Sequence, residues 1–537
     1  METDTAIVPR EKRQALSPFL PGSFGFLLKR ATPLLRGGFL ALSMGGLAGI
    51  LYFVVTGREF LIPFTLIAGT GTLVIWVWAR RATAGLPLLP LFVVQQILIY
   101  GLPLWVGDPN LERVSEGVIG TSAIAVMLLL LFSLIGFQIG SRTGAPSKGS
   151  RWNFSFQLGD SRNNMAWKLA LSLLIAGLAY QLLARTGLIW KILPGSLGRL
   201  FPIIRTFADA ASVLGALTGA LCLGEGGRSN RAPLFWGLIG ALFLLSIADV
   251  LISGATGLVL ATVIGLALGK GKVPWVFLIV AMGVVGFLNQ GKFEIRAKYW
   301  NADSHATRIS VRQLPSFYWE WANASAGLLF TGEKDNLRSA QRGRETGEDG
   351  QSILDRIDNL QILTYVVDAI KVREMPVLSG RTYTLIPPLL IPRFFWPGKP
   401  RTHEGQILLN LHFERQHSVK ETEKTYIAWG LLPESVGNFG PIGGPVFLGL
   451  VLGWLFGFLE KFSIRKQLFS IEGLLLVAFL LKVTVSFEMV ASVFVTSTFQ
   501  FLVAVGFSCV VLRFLLGSGQ SVGREPQFNS REKSTNL

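Results

Sequence analysis

An all-helical, polytopic membrane protein is the fold class that this sequence predicts, and three observations predict it. Half of the residues are hydrophobic, only 15% are charged, and the mean hydropathy is +0.48, a composition typical of bilayer-embedded chains. The apolar residues fall in about twelve runs of roughly the 20 residues that a helix needs to cross a bilayer. Lys and Arg gather at every second exit from those runs, the pattern of a chain threaded back and forth with its basic loops in the cytoplasm.

Residues 1–36 form a basic tail with Arg10, Lys12, Arg13, Lys29, Arg30 and Arg36. It has no cleavable apolar core, so no signal peptide is expected. The N-terminal transmembrane helices follow in 37–290, with spans expected near 37–57, 59–79, 85–106, 118–140, 166–184, 206–224, 232–252, 254–269 and 274–290. The eighth of these is short and Gly-rich, consistent with a tilted, broken or re-entrant element. The C-terminal helices in 442–516 add spans near 442–460, 468–487 and 494–516, and 517–537 is a second cytoplasmic tail. Basic residues follow the second, fourth, sixth, eighth and tenth spans, so both termini are placed in the cytoplasm. The exception is 185–205, which carries Arg185, Lys191, Arg199 and Arg205 on the outer side; an anionic ligand would give those charges a purpose.

The same alternation places 291–441 outside the membrane as a loop domain of about 150 residues, large enough to fold as a unit. All four histidines lie in it: His305, His403, His412 and His417. Glu333 to Gln351 is charged and reads as mobile. Asp355 to Val372 has apolar residues at helical spacing (Ile357, Leu360, Leu363, Val366, Val367 and Ile370), and predicts an amphipathic helix that covers the domain or lies on the bilayer.

The loop also holds the densest concentration of chemistry. Ile391 to Gly405 reads IPRFFWPGKPRTHEG, and Leu431 to Gly444 reads LLPESVGNFGPIGG. Prolines at 392, 397 and 400 stiffen a non-helical segment that carries Arg393, Lys399 and Arg401. These cations read either as an anion site at the membrane surface or as a loop meeting lipid head groups. Lys292 and Arg296, four residues apart after the ninth span, add positive charge at the other end of the loop. Gly440 and its neighbours open the tenth span with backbone N–H groups, where a helix dipole favours an anion. Arg296, Arg393, Lys399 and that terminus could converge on one phosphate, which the planar fork of Arg binds bidentately.

Several function classes are set aside. No Walker loop, GxSxG elbow, HExxH or dinucleotide fingerprint occurs. The two cysteines lie in apolar runs and offer no disulfide framework. The spacing of His412 and His417 does not bring both rings to one helical face, so no metal is expected, and no cofactor. The net charge of +17 is accounted for by cytoplasmic loops rather than by nucleic acid. Apart from Asp209, Asp249 and Glu488, intramembrane carboxylates of the kind coupled transporters use are missing.

The motif resembles that of Wzy-type oligosaccharide repeat-unit polymerases of the bacterial envelope. Pro392, Arg393, Trp396, Pro397, Lys399 and Pro400, then Glu434, Asn438, Phe439, Gly440 and Gly443, match the family pattern; the segments at Gly291 to Arg296 and Ser379 to Tyr383 are similar as well. Gly398 stands where an acidic residue is common, and Val436-Gly437 where an aromatic is expected. The similarity covers about 285–460. It implies a GT-C-like glycosyltransferase of the bacterial inner membrane. Its donor would be an undecaprenyl-diphosphate-linked oligosaccharide on the periplasmic face, and its partners a chain-length regulator and a flippase of the same pathway. On that resemblance Arg393 supports the departing diphosphate, and Glu434, or else His403, is the base. Lys292, Arg296, Arg381, Trp396, Lys399, Arg401, Asn438 and Gly440 bind substrate. An O-antigen-ligase-like enzyme and a flippase or exporter are the rival readings.

Overall fold

The computed structural model describes residues 24–330 and 358–517, outside 58, 82–84, 109, 144–162, 193–200, 225–229, 251–254, 302–305, 308, 393–394, 425–426, 465, 469 and 487. Arg393, His305, the segment 333–351 and most of both tails therefore lie outside the described residues. Apart from one two-residue ladder that pairs Trp300 with Thr307 and Asn301 with Ala306, the described elements are helical.

Each of the twelve apolar runs is a helix. The first four are α1 (Phe24–Thr56), α2 (Leu61–Ala79), α3 (Leu88–Val106) and α4 (Glu116–Thr143). They continue as α5 (Asn163–Arg185), α6 (Phe201–Gly224), α7 (Ala232–Ile247), α8 (Thr256–Lys270) and α9 (Trp275–Gln290). In the loop lie α10 (Lys292–Tyr299), α11 (Leu314–Phe330), α12 (Leu360–Lys371), α13 (Ile386–Leu390) and α14 (Glu404–His412), with short helical turns between them. α15 (Leu431–Ser463), α16 (Ile471–Val485) and α17 (Ala491–Gly517) complete the chain.

Among the described residues, eight helices are long and apolar enough to cross a bilayer: α1 to α6, α15 and α17. The sequence predicts twelve, and the difference lies in α7, α8, α9 and α16, which stop at 15 or 16 residues. α7 ends where Val250 takes a left-handed conformation, and Pro274 fixes the start of α9. α8 is an unbroken helix from Thr256 to Lys270. α15 begins eleven residues before the expected span, at Leu431, so the LLPESVGNFG motif is helical and not loop.

α4 and α15 make the tightest helix pair, through glycines. A Cβ at Gly453 would meet the Ser133 carbonyl at 2.1 Å, one at Gly457 the Phe137 carbonyl at 2.1 Å, and one at Gly140 the Trp454 carbonyl at 2.0 Å. Glycines four residues apart let two backbones touch, which is how helices associate where lipid removes the hydrophobic drive. α12 packs against both helices of this pair. Leu360, Leu363, Val366 and Val367 are fully buried and Ile370 is packed against the core, as the 3.6-residue period requires. Burial contributes about 1.5–3 kcal/mol for each such side chain, so of the two expected positions α12 takes the covering one.

A proline in α3 fixes where α12 docks. Pro103 has no N–H to give the Ile99 carbonyl, the helix loosens into a π turn at Ile97–Gly101, and that carbonyl accepts the Asn359 N–H at 3.2 Å. α10 and α11 pack beneath α9 in a separate apolar cluster of Ile247, Val250, Ile295, Phe317 and Trp321, pinned by Trp321 Nε1 donating to the Leu288 carbonyl at 2.7 Å.

Candidate functional site

The same device, a proline that frees a carbonyl, builds the site in the LLPESVGNFGPIGG motif. Gly440 sits at φ 78°, ψ 173° and breaks α15, a conformation open to glycine but strained for other residues. Pro441 then has no N–H for the Gly437 carbonyl. The freed carbonyls of Gly437 and Asn438 accept the N–H groups of Leu378 and Ser379, each at 2.9 Å. Ser379 and Gly380, both at positive φ, turn the chain into a hook that carries Thr382 and Tyr383 onto the broken helix. Asn438 Nδ2 donates to Thr382 Oγ1 at 2.8 Å and to the Glu434 carbonyl at 2.8 Å. Phe439 stacks on Tyr383, ring centroids 5.7 Å apart and nearly parallel.

Glu434 lies one turn inside α15 and is completely buried. Its Oε2 accepts the Ala491 N–H at the first residue of α17, a carboxylate at a helix N-terminus, where the dipole favours it. Thr382 supplies this carboxyl with a further side-chain hydrogen bond, whereas the buried hydroxyl of Tyr383 has no hydrogen-bond partner. Burial, with the Glu434 carboxyl nearby, pushes the Tyr383 phenol above its ordinary range. An unpartnered buried hydroxyl within the electrostatic reach of a buried carboxyl marks a place for a polar group that the protein does not supply.

The other expected site residues divide. His403 caps α14, its Nδ1 3.3 Å from Gln406 Oε1, and the adjoining Thr402 carbonyl accepts from Ser492 Oγ at 3.2 Å. The chain just before His403 therefore reaches the same helix start that Glu434 caps. Arg381 is exposed beside Thr382, and Trp396 and Arg401 are exposed on the stiff loop. Lys399 is buried, and its ammonium donates to the carbonyls of Leu389 and Ile391 at 2.8 and 2.5 Å, closing the C-terminal end of α13. Lys292 is buried and Arg296 half-buried on α10, whose Ile295 belongs to the separate cluster with Trp321. The structure thus joins Glu434 and Asn438 to Thr382 at the break made by Gly440, leaves Arg381 exposed next to Thr382 in the chain, and puts Lys292 and Arg296 on the helix of the other apolar cluster.

Sequence reasoning passed over Thr382, Tyr383 and Ala491. Ser379 to Tyr383 had been singled out as a segment, but only the main-chain docking shows its partner. A larger feature lies on the other flank of α17. A cavity of about 930 Å3 opens among α5, α6, α7, α16 and α17, and it takes in Arg185 and Arg205, two of the basic residues that alternation leaves on the outer side. Arg185 pairs with Asp249 at 3.1 Å and Arg205 with Asp209 at 4.0 Å. Lys482, a lone charge in the run LLLVAFLLKVTV, also lines it; an ionisable residue inside an apolar helix is the signal that could have found it.

Among the described residues no cluster of His, Cys, Asp and Glu suited to a metal ion occurs. Comparison with known families, with curated proteins and with solved structures finds no match to this chain; what the described residues establish is a membrane-embedded, polytopic helical protein with a hooked, buried polar site where its tenth apolar helix breaks.

Proposed function

We propose that this chain is a Wzy-type glycosyltransferase that polymerises lipid-linked oligosaccharide repeats into a surface polysaccharide. It works from an undecaprenyl-diphosphate-linked donor on the outer face of the bacterial inner membrane, within a GT-C-like frame of twelve spans whose ends face the cytoplasm. The observation that carries the proposal is the fully buried Glu434 carboxyl, with the unpartnered Tyr383 hydroxyl within its electrostatic reach, in the motif that resembles the family.

The acceptor hydroxyl attacks the anomeric carbon of the donor. The bond from that carbon to the diphosphate oxygen breaks, lipid diphosphate leaves with the bonding pair, and Glu434 takes the hydroxyl proton. Arg393, with the exposed Arg401 and Arg381, meets the charge on the departing diphosphate. Trp396 and Phe395, both exposed, offer faces for sugar rings.

Glu434→Gln and Arg393→Lys are tested in a strain lacking the native gene. Glu434→Gln is expected to abolish polymer while single repeats still reach the outer face. Arg393→Lys keeps a charge but loses the bidentate fork, and is expected to lose on the order of 10²-fold in polymer formation. Wild-type polymer from both variants at normal membrane levels would overturn the proposal. The cavity among α5, α6 and α16 favours a second reading, a lipid-linked oligosaccharide exporter. In that case Glu434→Gln would strand repeats on the cytoplasmic side.

A further inference from the structure

The 930 Å3 cavity is walled by the same end of every helix that contributes to it. Arg185 closes the C-terminal end of α5 and Arg205 lies in the second turn of α6. Asp249 follows α7, Lys482 is in the last turn of α16, and Gln500 is in the third turn of α17. Alternation along the chain puts all of these ends on the side of the loop domain, and Ile309 and Ser310 of that domain complete the rim. At 1.5 Å of rise per residue, the lining on α6 from Phe201 to Val213 reaches roughly 18 Å into the helix layer. The cavity is therefore a vestibule sunk from the outer surface into the bilayer zone.

Its charges do not balance. Three cations, Arg185, Arg205 and Lys482, share two carboxylates, Asp209 and Asp249. Arg185 pairs with Asp249 and donates to the Leu245 carbonyl, while its buried Nε has no hydrogen-bond partner. Asp209 lies between Arg205 and Lys482 and cannot neutralise both, and among the described residues no carboxylate lies within ion-pair distance of the Lys482 ammonium. That ammonium instead stands 4.9 Å from the centre of the Phe501 ring. A cation in excess at membrane depth is costly and marks a ligand path or site. The rest of the wall is mixed, with Leu242 and Leu258 beside Gln181 and Ser497, so it suits a molecule with a charged head and an apolar body. The volume lies near the top of the range of about 300–1,000 Å3 for small-molecule sites, far more than a bare phosphate fills.

We infer that this vestibule is a binding site for a phosphate-bearing amphiphile, with Arg205 and Lys482 receiving the phosphate and the apolar wall taking the chain. None of Glu434, Asn438, Thr382 and Tyr383 lines it, and it does not depend on the transfer reaction. The phosphate belongs to either of two sources, a lipid-linked diphosphate or a bilayer phospholipid.

The test is calorimetric titration of the purified protein in neutral detergent with three probes: farnesyl diphosphate, phosphatidylglycerol and inorganic pyrophosphate. Farnesyl diphosphate is expected to bind, and Lys482→Met and Arg205→Gln each to weaken it by roughly tenfold or more, the scale of one lost charge-assisted contact. Lys482→Arg, which keeps the charge, is expected to retain most of the affinity. Size-exclusion and circular-dichroism profiles confirm that each variant is folded. Displacement of farnesyl diphosphate by phosphatidylglycerol supports the site and assigns it to bilayer lipid; no displacement supports it and assigns it to the lipid diphosphate. Unchanged binding in both folded neutral variants, or pyrophosphate binding as tightly as farnesyl diphosphate, would overturn the inference.

Discussion

Asp108 and Asp358 form a carboxyl pair at the C-terminal end of α3, where α12 docks. Asp108 Oδ2 accepts from Gln361 Nε2 at 2.7 Å, and Oδ1 accepts the Asn110 N–H at 2.9 Å. Asp358 Oδ1 accepts the Leu360 N–H at 2.8 Å, and the two carboxyls hydrogen-bond to each other. Two carboxylates this close cannot both ionise, so one proton is shared. Burial, reinforced by the charge of Asp108, pushes Asp358 up to about 8. Burial would raise Asp108 too, but hydrogen bonds from Asp358, Asn110 and Gln361 hold it below its ordinary range. The folded state therefore keeps a proton on Asp358 that the unfolded chain releases near its ordinary value of 3.8. The stability that this proton gives is complete below that value and is lost as pH rises through about 8. The contribution of Asp108 has the opposite sign, present at neutral pH and lost on strong acidification. Asp358→Asn is expected to flatten the fall in melting temperature between pH 5 and pH 9. An equally steep fall in the variant would show that the shared proton is not its cause.

At the scale of elements, glycine and proline do the architectural work. Pro103 and Pro441 each release one carbonyl inside an apolar helix, and each is answered by a loop N–H, that of Asn359 or of Leu378. A bilayer-embedded helix tolerates such a break only where protein supplies the missing partner. The α4–α15 seam is equally exacting. Gly453→Val places its branched side chain against the Ser133 carbonyl, and overpacking of this kind costs about 1–3 kcal/mol. Gly443→Ala, whose new methyl would find only the Phe439 Cβ at 3.5 Å, is the matched control. Thermal melts in detergent are expected to fall by several degrees for the first and to stay near wild type for the second. Equal melts would mean that the seam can open without cost.

For the whole molecule, the placement of charge sets the threading. Alternation of the basic exits predicts Thr143 inside and Lys420 outside; both positions are exposed, while the native Cys222 and Cys509 are buried. An impermeant maleimide is expected to label Lys420→Cys in intact spheroplasts and Thr143→Cys only after lysis. The reverse result would invert the chain and place the Glu434 pocket on the cytoplasmic side.

Much of the architecture was legible in the residues. All twelve apolar runs are helices, because backbone in lipid must satisfy itself and leaves a long, uniform signature. The stripe from Leu360 to Ile370 named α12 and its buried face; Gly440, expected to open the tenth span, is instead a break inside it. The short ends of α7, α8, α9 and α16 were not legible, since an apolar run shows where a helix can extend but not where packing stops it. Nor was the site as assembled. Glu434 meets Ala491 across 57 residues through a main-chain N–H, and Leu378 and Ser379 meet α15 through main chain as well. Every residue but proline carries that donor, so no side-chain pattern reports it. The vestibule is hidden for a related reason: Arg205 and Lys482 lie far apart in sequence, and only the packing of α6 against its neighbours places them on one wall. Sequence by itself determined which segments are helices and which residues are costly in a membrane; tertiary structure decided which of those costs are settled together.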